Sequence, residues 1–434
     1  MPDRTMPPPP LFASTRGAAP VPFRTALLDG LAPDGGLYVP TRIPDLDPTW
    51  SDARSLPEVA TRVLRPWLSD AFPRLDAIVA DALAFPVPLV ELAGDGWDGV
   101  SVLELWHGPT LSFKDVGARA MARLMADALD GGEVTILAAT SGDTGSAVAD
   151  GFAGVDGVRV VLLYPKGGVS AVQERQLVVE RPGVTALAVE GTFDDCQRLV
   201  KAAFQRPPEG ARLSSANSIN IGRLLPQMTY YAWAVRQLDG RRRPSDAPPV
   251  VVVPSGNLGN LTAGVMMQRA GLPVAGFVAA HNANDRFPRF LAGGPRPVGA
   301  SVATLSNAMD VGTPSNAERL TSILGDALAA TVSGDSVSDD ETTARMRSVY
   351  EATGYVADPH TAVGLEAARR LRDRGETAPL VVLSTAHPAK FPEAVAAAIG
   401  HRPDAPARLA ALWEAPTRVE TIPATLEALT RRLQ

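Results

Sequence analysis

Six short runs rich in β-branched residues, at 134–138, 158–163, 185–189, 250–253, 274–279 and 380–383, recur along the chain with helical stretches between them. Each run is apolar throughout instead of alternating, the pattern of a strand buried on both faces, and parallel sheets covered by helices supply that environment. The expected class is therefore α/β, with open, mostly parallel sheets. In such sheets ligands gather at the carboxyl ends of the strands.

At 434 residues the chain exceeds what one hydrophobic core supports, so two or three domains are expected. Residues 1–10, with four consecutive prolines, read as a disordered extension. Residues 11–99 read as a mainly helical N-terminal unit, because apolar residues return at helical spacing over 56–68 and 73–85. Residues 100–236 form a first α/β block and 246–434 a second. The breaker-rich segment 237–249 is the connection between them.

Composition narrows the function. Hydrophobic residues make up 45% and charged residues 20%, with a formal net charge of -6. Acidic and basic residues are interspersed, which argues against a nucleic-acid partner, and the run Arg241-Arg242-Arg243 reads as a solvated loop. Cys196 is the only cysteine, so a disulfide framework and a thiolate metal site are excluded. The five histidines are scattered, and no metal is expected. Neither a signal peptide nor an apolar run long enough for a bilayer is visible, so the chain is expected in the cytoplasm without a membrane partner.

One lysine stands out. In His107-Gly-Pro-Thr-Leu-Ser-Phe-Lys114-Asp115 it lies among apolar residues just past a Gly-Pro turn. A lysine so placed can be desolvated, which lowers its pKa and frees the amine for a Schiff base. Two strand-to-helix loops follow. Thr140-Ser141-Gly142-Asp143-Thr144-Gly145 and Ser255-Gly256-Asn257-Leu258-Gly259-Asn260 both offer glycines and helix N-terminal amides to a carboxylate or phosphate, although a plain capped turn would look alike. The second fits neither a dinucleotide nor a triphosphate spacing, so a single phosphate is its better match. A third loop groups Asn217, Ser218, Asn220 and Arg223, a set suited to a substrate phosphate. The last strand delivers Ser384 and Thr385, where a hydroxyl can meet a ring nitrogen; His387 reads as structural, and the loop at Asp358 as closing the site.

In this order the segments resemble the threonine synthases of the longer bacterial and fungal type, pyridoxal-phosphate enzymes of fold type II, the tryptophan-synthase-β-like fold. The similarity runs from Ala13-Ser-Thr-Arg-Gly17 to Phe391, and the motif around Lys114 is its most specific part. The resemblance implies pyridoxal 5'-phosphate on Lys114 as Schiff-base lysine, with Gly256, Asn257, Leu258, Gly259 and Asn260 around its phosphate. Asp143 would lie near the ring hydroxyl and Thr385 would face the pyridine nitrogen. Ser141, Gly142 and Thr144 would bind the substrate carboxylate, while Asn217, Ser218, Asn220 and Arg223 hold its phosphate, with Arg16 and Lys166 as weaker candidates. The implied reaction converts O-phospho-L-homoserine and water into L-threonine and phosphate, in a monomer or homodimer. A related phospho-lyase releasing 2-oxobutyrate is the alternative.

Overall fold

A computed structural model describes residues 7–68, 71–140, 142–240 and 247–434. The arginine run at 241–243 and Ser141 fall outside the described residues, as do positions 1–6 of the proline-rich start. Of that expected extension the described part is partly held: Pro10 is buried, and the Pro8 carbonyl accepts a hydrogen bond from Arg42.

The strands in chain order are β1 (Phe12–Ser14), β2 (Tyr38–Pro40), β3 (Leu89–Glu91), β4 (Val100–Glu104), β5 (Val134–Ala139), β6 (Val158–Pro165), β7 (Val184–Glu190), β8 (Leu213–Ser214), β9 (Val250–Pro254), β10 (Gly276–His281), β11 (Val332–Ser336), β12 (Leu380–Ser384) and β13 (Glu420–Pro423). All six apolar runs are strands, and β4, β5 and β12 are buried along their whole length, as a doubly covered sheet requires. The six-stranded sheet has the order β11-β10-β9-β12-β4-β3, and the five-stranded sheet the order β13-β7-β6-β5-β8. Every neighbour is parallel except β3 against β4. A small antiparallel pair, β1 with β2, begins the N-terminal unit. Its helices include Leu56–Leu68 and Leu75–Ala82, which bury Val59, Val63, Leu64, Trp67, Ile78 and Val79.

The 237–249 connection does not divide the sheets. Strand β4, at the start of the expected first block, pairs with β12, far along the chain, in a parallel register of five residue pairs from Val100 with Leu380 to Glu104 with Ser384. Strand β13, expected in the second block, pairs instead with β7. Each sheet thus takes one strand from the other's stretch of sequence. Pairing of this kind depends on distant partners and leaves no local signature.

Helix starts are locally encoded. Thr192 with Asp195 and Ser338 with Glu341 form reciprocal capping boxes at the helices Phe193–Gln205 and Asp339–Thr353. The helix Lys114–Leu129, rich in Ala, Met and Leu, buries ten of its residues and lies against the helices Asp143–Gly151 and Ile221–Asp239. Its packing fixes Lys114 at its first turn. No helix among the described residues is long and apolar enough to cross a membrane.

Candidate active site

The segments that follow β4, β12 and β5 meet at Lys114, and β9 lies beside β12 in the same sheet. Three of these strands belong to one sheet and the fourth to the other, so the site lies where the two meet. The segment after β4 is tied to the segment after β12 by a backbone hydrogen bond from Phe113 to Thr385 (2.9 Å) and a bridge between Ser112 and Ala386. Thr385 is thereby held beside the residue that precedes the lysine. The lysine's own Nζ stands 3.9 Å from Asp143 Oδ2, on the loop after β5.

Burial drives the Lys114 amine down to about 8; Asp143 opposes this, while Lys390 and Arg223 reinforce it. For Asp143 burial disfavours the ion, yet Lys390 and Lys114 outweigh it and hold the carboxyl well below the usual carboxylate range. Lys390 Nζ lies 2.6 Å from Asp143 Oδ1 and donates to the Thr110 carbonyl at 3.1 Å. Asp115, next to the lysine, is pushed by burial up to about 6, against the pull of Thr110, whose amide and hydroxyl both donate to it.

The loop after β9 has the form of a phosphate cradle. The backbone amides of Gly256, Asn257 and Leu258 donate to no protein acceptor among the described residues, and the helix Gly259–Arg269 begins directly behind them. Leu258 adopts a left-handed conformation at φ 63°, unusual for a branched side chain and found where surrounding structure over-determines a turn. A Cβ on Gly256 would come 3.0 Å from Met309 Cα, and one on Gly259 2.9 Å from Ser218 Cβ. Asn260 Oδ1 accepts from the hydroxyls of Tyr230 (2.5 Å) and Tyr231 (2.7 Å), which leaves its buried Nδ2 without a protein acceptor. Free amides, a helix N-terminus and an unused amide donor are the donor set a phosphate monoester needs.

The loop at 214–223 lies against this cradle: Asn257 Nδ2 donates to Ser218 Oγ at 2.6 Å. Asn217 Oδ1 and Arg223 Nε are buried without partners, and Arg223 spends an Nη1 proton on the Ala216 carbonyl. Burial lowers Arg223 to about 10. Asn220 is different. Its Nδ2 donates to the carbonyls of Leu27 and Ser215, and its Oδ1 caps the helix Ile221–Asp239 through Gly222. With that side chain committed to capping, the structure removes Asn220 from the expected phosphate ligands.

After β5, Gly142 and Thr144 flank Asp143 at the start of the helix Asp143–Gly151, with Thr144 half-buried. Thr140 Oγ1 accepts from the amides of Gly142 and Gly145, which shapes the turn. Of the weaker candidates, Arg16 pairs with Glu318 at 3.1 Å and Lys166 with Glu190 at 3.6 Å; Arg16, Lys166 and Glu190 are exposed and Glu318 is half-buried.

Below Thr385 runs a chain of hydrogen bonds whose direction is fixed. Thr361 Oγ1 donates to Asp358, so the proton between Thr361 and Ser384 (2.8 Å) belongs to Ser384. Ser384 in turn accepts from Trp106 Nε1 at 2.9 Å. Its hydroxyl is therefore committed, whereas that of Thr385 makes no hydrogen bond to another described residue. His360 extends the chain, pairing through Nδ1 with Asp358 (2.6 Å) and accepting the Ala308 amide at Nε2 (3.1 Å). His387 is structural, accepting the Ala389 amide; burial, with His107 nearby, lowers it to about 4.

Three further residues escape sequence reasoning. Asn316 and the wholly buried Arg319 brace both loops from behind, Asn316 through the carbonyls of Asn257 and Ser218, Arg319 through those of Ser218 and Ile219. Their segment reads as an ordinary helix start. Lys390 is the third, and its signal was present: like Lys114 it follows a proline among apolar residues.

A buried lysine of lowered pKa at the carboxyl end of an open parallel sheet, with a loop of free amides after β9 in that sheet, marks the class of pyridoxal-phosphate enzymes. The family described as "Pyridoxal-phosphate dependent enzyme" matches residues 83–386. Flanking it, "Threonine synthase N terminus" matches 11–83 and "Threonine synthase, C-terminal" matches 361–432. The threonine synthase of Serratia marcescens is 42% identical, over 95% of this chain and 96% of its own length. Among solved structures, the PLP-bound threonine synthase from Brucella melitensis superposes with a TM-score of 0.89 at 36% identity, covering 98% of both chains. That from Escherichia coli gives 0.87 at 38%, over 97% and 99%. The chain belongs to the threonine synthase family of pyridoxal-phosphate-dependent enzymes.

Proposed function

We propose that Lys114 both carries the cofactor and moves the protons in the conversion of O-phospho-L-homoserine and water to L-threonine and phosphate. The observation that carries this reading is a buried amine held 3.9 Å from Asp143, lowered by burial to about 8, in a chain whose loop after β9 offers free amides. Gly256, Asn257, Leu258, Gly259 and Asn260 would hold the cofactor phosphate, Asp143 would sit by the ring hydroxyl, and Thr385 would face the nitrogen. When bound, pyridoxal phosphate supplies an electron-withdrawing ring that lets protons leave the substrate's α- and β-carbons. Gly142, Thr144 and Ser141 would hold the substrate carboxylate at a helix N-terminus. Arg223, Ser218 and Asn217 would grip its phosphate, with the unpartnered Arg223 Nε as the charged donor.

Lys114 Nζ then takes a proton from the α-carbon and one from the β-carbon. Phosphate leaves the γ-carbon into the grip of Arg223, the two protons taken by Lys114 return one to the γ-carbon and one to the α-carbon, and water adds its hydroxyl at the β-carbon while its other proton goes to the released phosphate. Release of 2-oxobutyrate is not favoured, since the relatives that match almost end to end bear the threonine synthase name. We place the enzyme in the cytoplasm as a monomer or homodimer, a setting that suits a chain with a single, buried cysteine.

Incubation with O-phosphohomoserine followed by chromatography of the carbon products tests the reaction: threonine and phosphate in equal amounts are expected, and 2-oxobutyrate as the main product would replace it by the alternative. Thr385→Asp tests the ring contact. A carboxylate at 385 would hold a proton on the pyridine nitrogen and stabilise charge at the α-carbon too strongly. The variant is expected to divert substrate from threonine to side products, read as the ratio of the two; an unchanged ratio and rate would take Thr385 off the nitrogen.

A further inference from the structure

Lys390 has no place in the proton transfers above, yet it is a buried lysine whose side chain has no exposed surface. It arrives from the turn after β12, where a 3-10 turn at Pro388–Lys390, capped by His387, aims it inward. Its Nζ makes two contacts, Asp143 Oδ1 at 2.6 Å and the Thr110 carbonyl at 3.1 Å. Gln176 donates to the same carbonyl, so Thr110 is braced from both sides. Asp143 is thus shared between two lysines, one oxygen toward each, and the nearer one is not the amine that does the chemistry.

We infer that Lys390 is a positioning residue: it pins and neutralises Asp143, so that Lys114 faces a carboxylate already paired and keeps its amine available in the neutral form. Desolvation alone does not secure this, because an unpaired buried carboxylate next to an amine would draw a proton onto it. The charged groups that bear on Lys114 are Asp143 from the loop after β5, Lys390 from the turn after β12, Arg223 from the helix Ile221–Asp239, and Asp115 from its own helix. His360 bears on Asp143 from the helix Pro359–Asp373. Of the cations, Lys390 is the one in direct contact with the carboxylate that Lys114 meets. Removing it leaves Asp143 to pair with Lys114, and the amine's pKa rises.

The inference rests on Lys114 being the cofactor's amine, but its test does not need turnover. The chain has four lysines, at 114, 166, 201 and 390. In the full-length chain freed of cofactor, acylation of Lys114 by a small amine reagent can be followed against pH, peptide by peptide, in the mass spectrometer. Lys390→Met is expected to move the Lys114 midpoint upward by roughly one unit or more. Lys390→Arg should bring most of that shift back, and Asp143→Asn should move the midpoint downward, below the wild type. A folded Lys390→Met variant with a wild-type midpoint would reduce Lys390 to a structural tie and overturn the inference. Should that variant fail to fold, Asp143→Asn decides alone, because the inference requires Lys390 to act on Lys114 through this carboxylate; an unchanged midpoint there overturns it equally. Failure to form threonine would sink the proposed reaction while leaving this titration intact.

Discussion

Lys114→Ala should retain the fold and bind cofactor non-covalently, but form threonine at a rate lower by on the order of 10³-fold or more. The loss is large because one side chain is asked to hold the cofactor and to move protons at two carbons. The fold should survive for an electrostatic reason. Deleting one member of a buried ion pair usually costs about 3–5 kcal/mol, because the other charge is stranded. Here Asp143 keeps Lys390 at 2.6 Å, so the carboxylate remains paired. The truncation also removes an amine that burial disfavours in its charged form. Steady-state threonine formation and a thermal melt measure the two halves of the expectation, and borohydride reduction of the wild-type protein should fix a pyridoxyl group on the Lys114 peptide. Retained turnover in the variant would remove Lys114 from the mechanism.

Why Lys114 was legible and Lys390 was not says what sequence carries. Both lysines follow a proline turn in apolar surroundings, so the desolvation signal is the same. What differs is the partner. Lys114 sits in a segment with a strong family likeness, whereas the role of Lys390 depends on Asp143, more than two hundred residues away and on the other sheet. The same distance effect hid the exchange of strands, in which β4 joins the sheet of β12 and β13 that of β7, although the apolar runs themselves were plain. Asn220 failed in the opposite way. A loop with Asn217, Ser218, Asn220 and Arg223 reads as uniformly polar, but which amide is free and which is a cap is decided by the carbonyls of Leu27 and Ser215. Residue type is written in the sequence; the satisfaction of its hydrogen bonds is a property of the fold.

Gly259→Val and Arg223→Ala should separate the two phosphate sites, since they damage different halves of one wall. At Gly259 an added Cβ would stand 2.9 Å from Ser218 Cβ, which lies next to the backbone and cannot swing aside. The cradle and the 214–223 loop, joined by the 2.6 Å bond between Asn257 and Ser218, would be forced apart. Such overpacking costs about 1–3 kcal/mol, and if it falls on the bound state the cofactor's dissociation constant rises by ~10- to 100-fold. Arg223 sits further along, in a space kept open by Gly117, whose Cβ would come 2.9 Å from Arg223 Nε. Its guanidinium donates to the Ala216 carbonyl and to no other acceptor among the described residues, so on its removal the cradle and the cofactor should stay in place. What is lost is a charge-assisted contact to the substrate, worth ~1.5–3 kcal/mol, and the apparent KM for O-phosphohomoserine should rise about tenfold or more. Titration of cofactor into each variant, followed by substrate saturation curves at full occupancy, distinguishes the two. Exchanged phenotypes would mean that the two phosphates occupy each other's proposed loops. An Arg223→Ala enzyme with wild-type saturation would take that guanidinium out of the substrate pocket, leaving Ser218 and Asn217 to account for the recognition of a dianion without a charged donor.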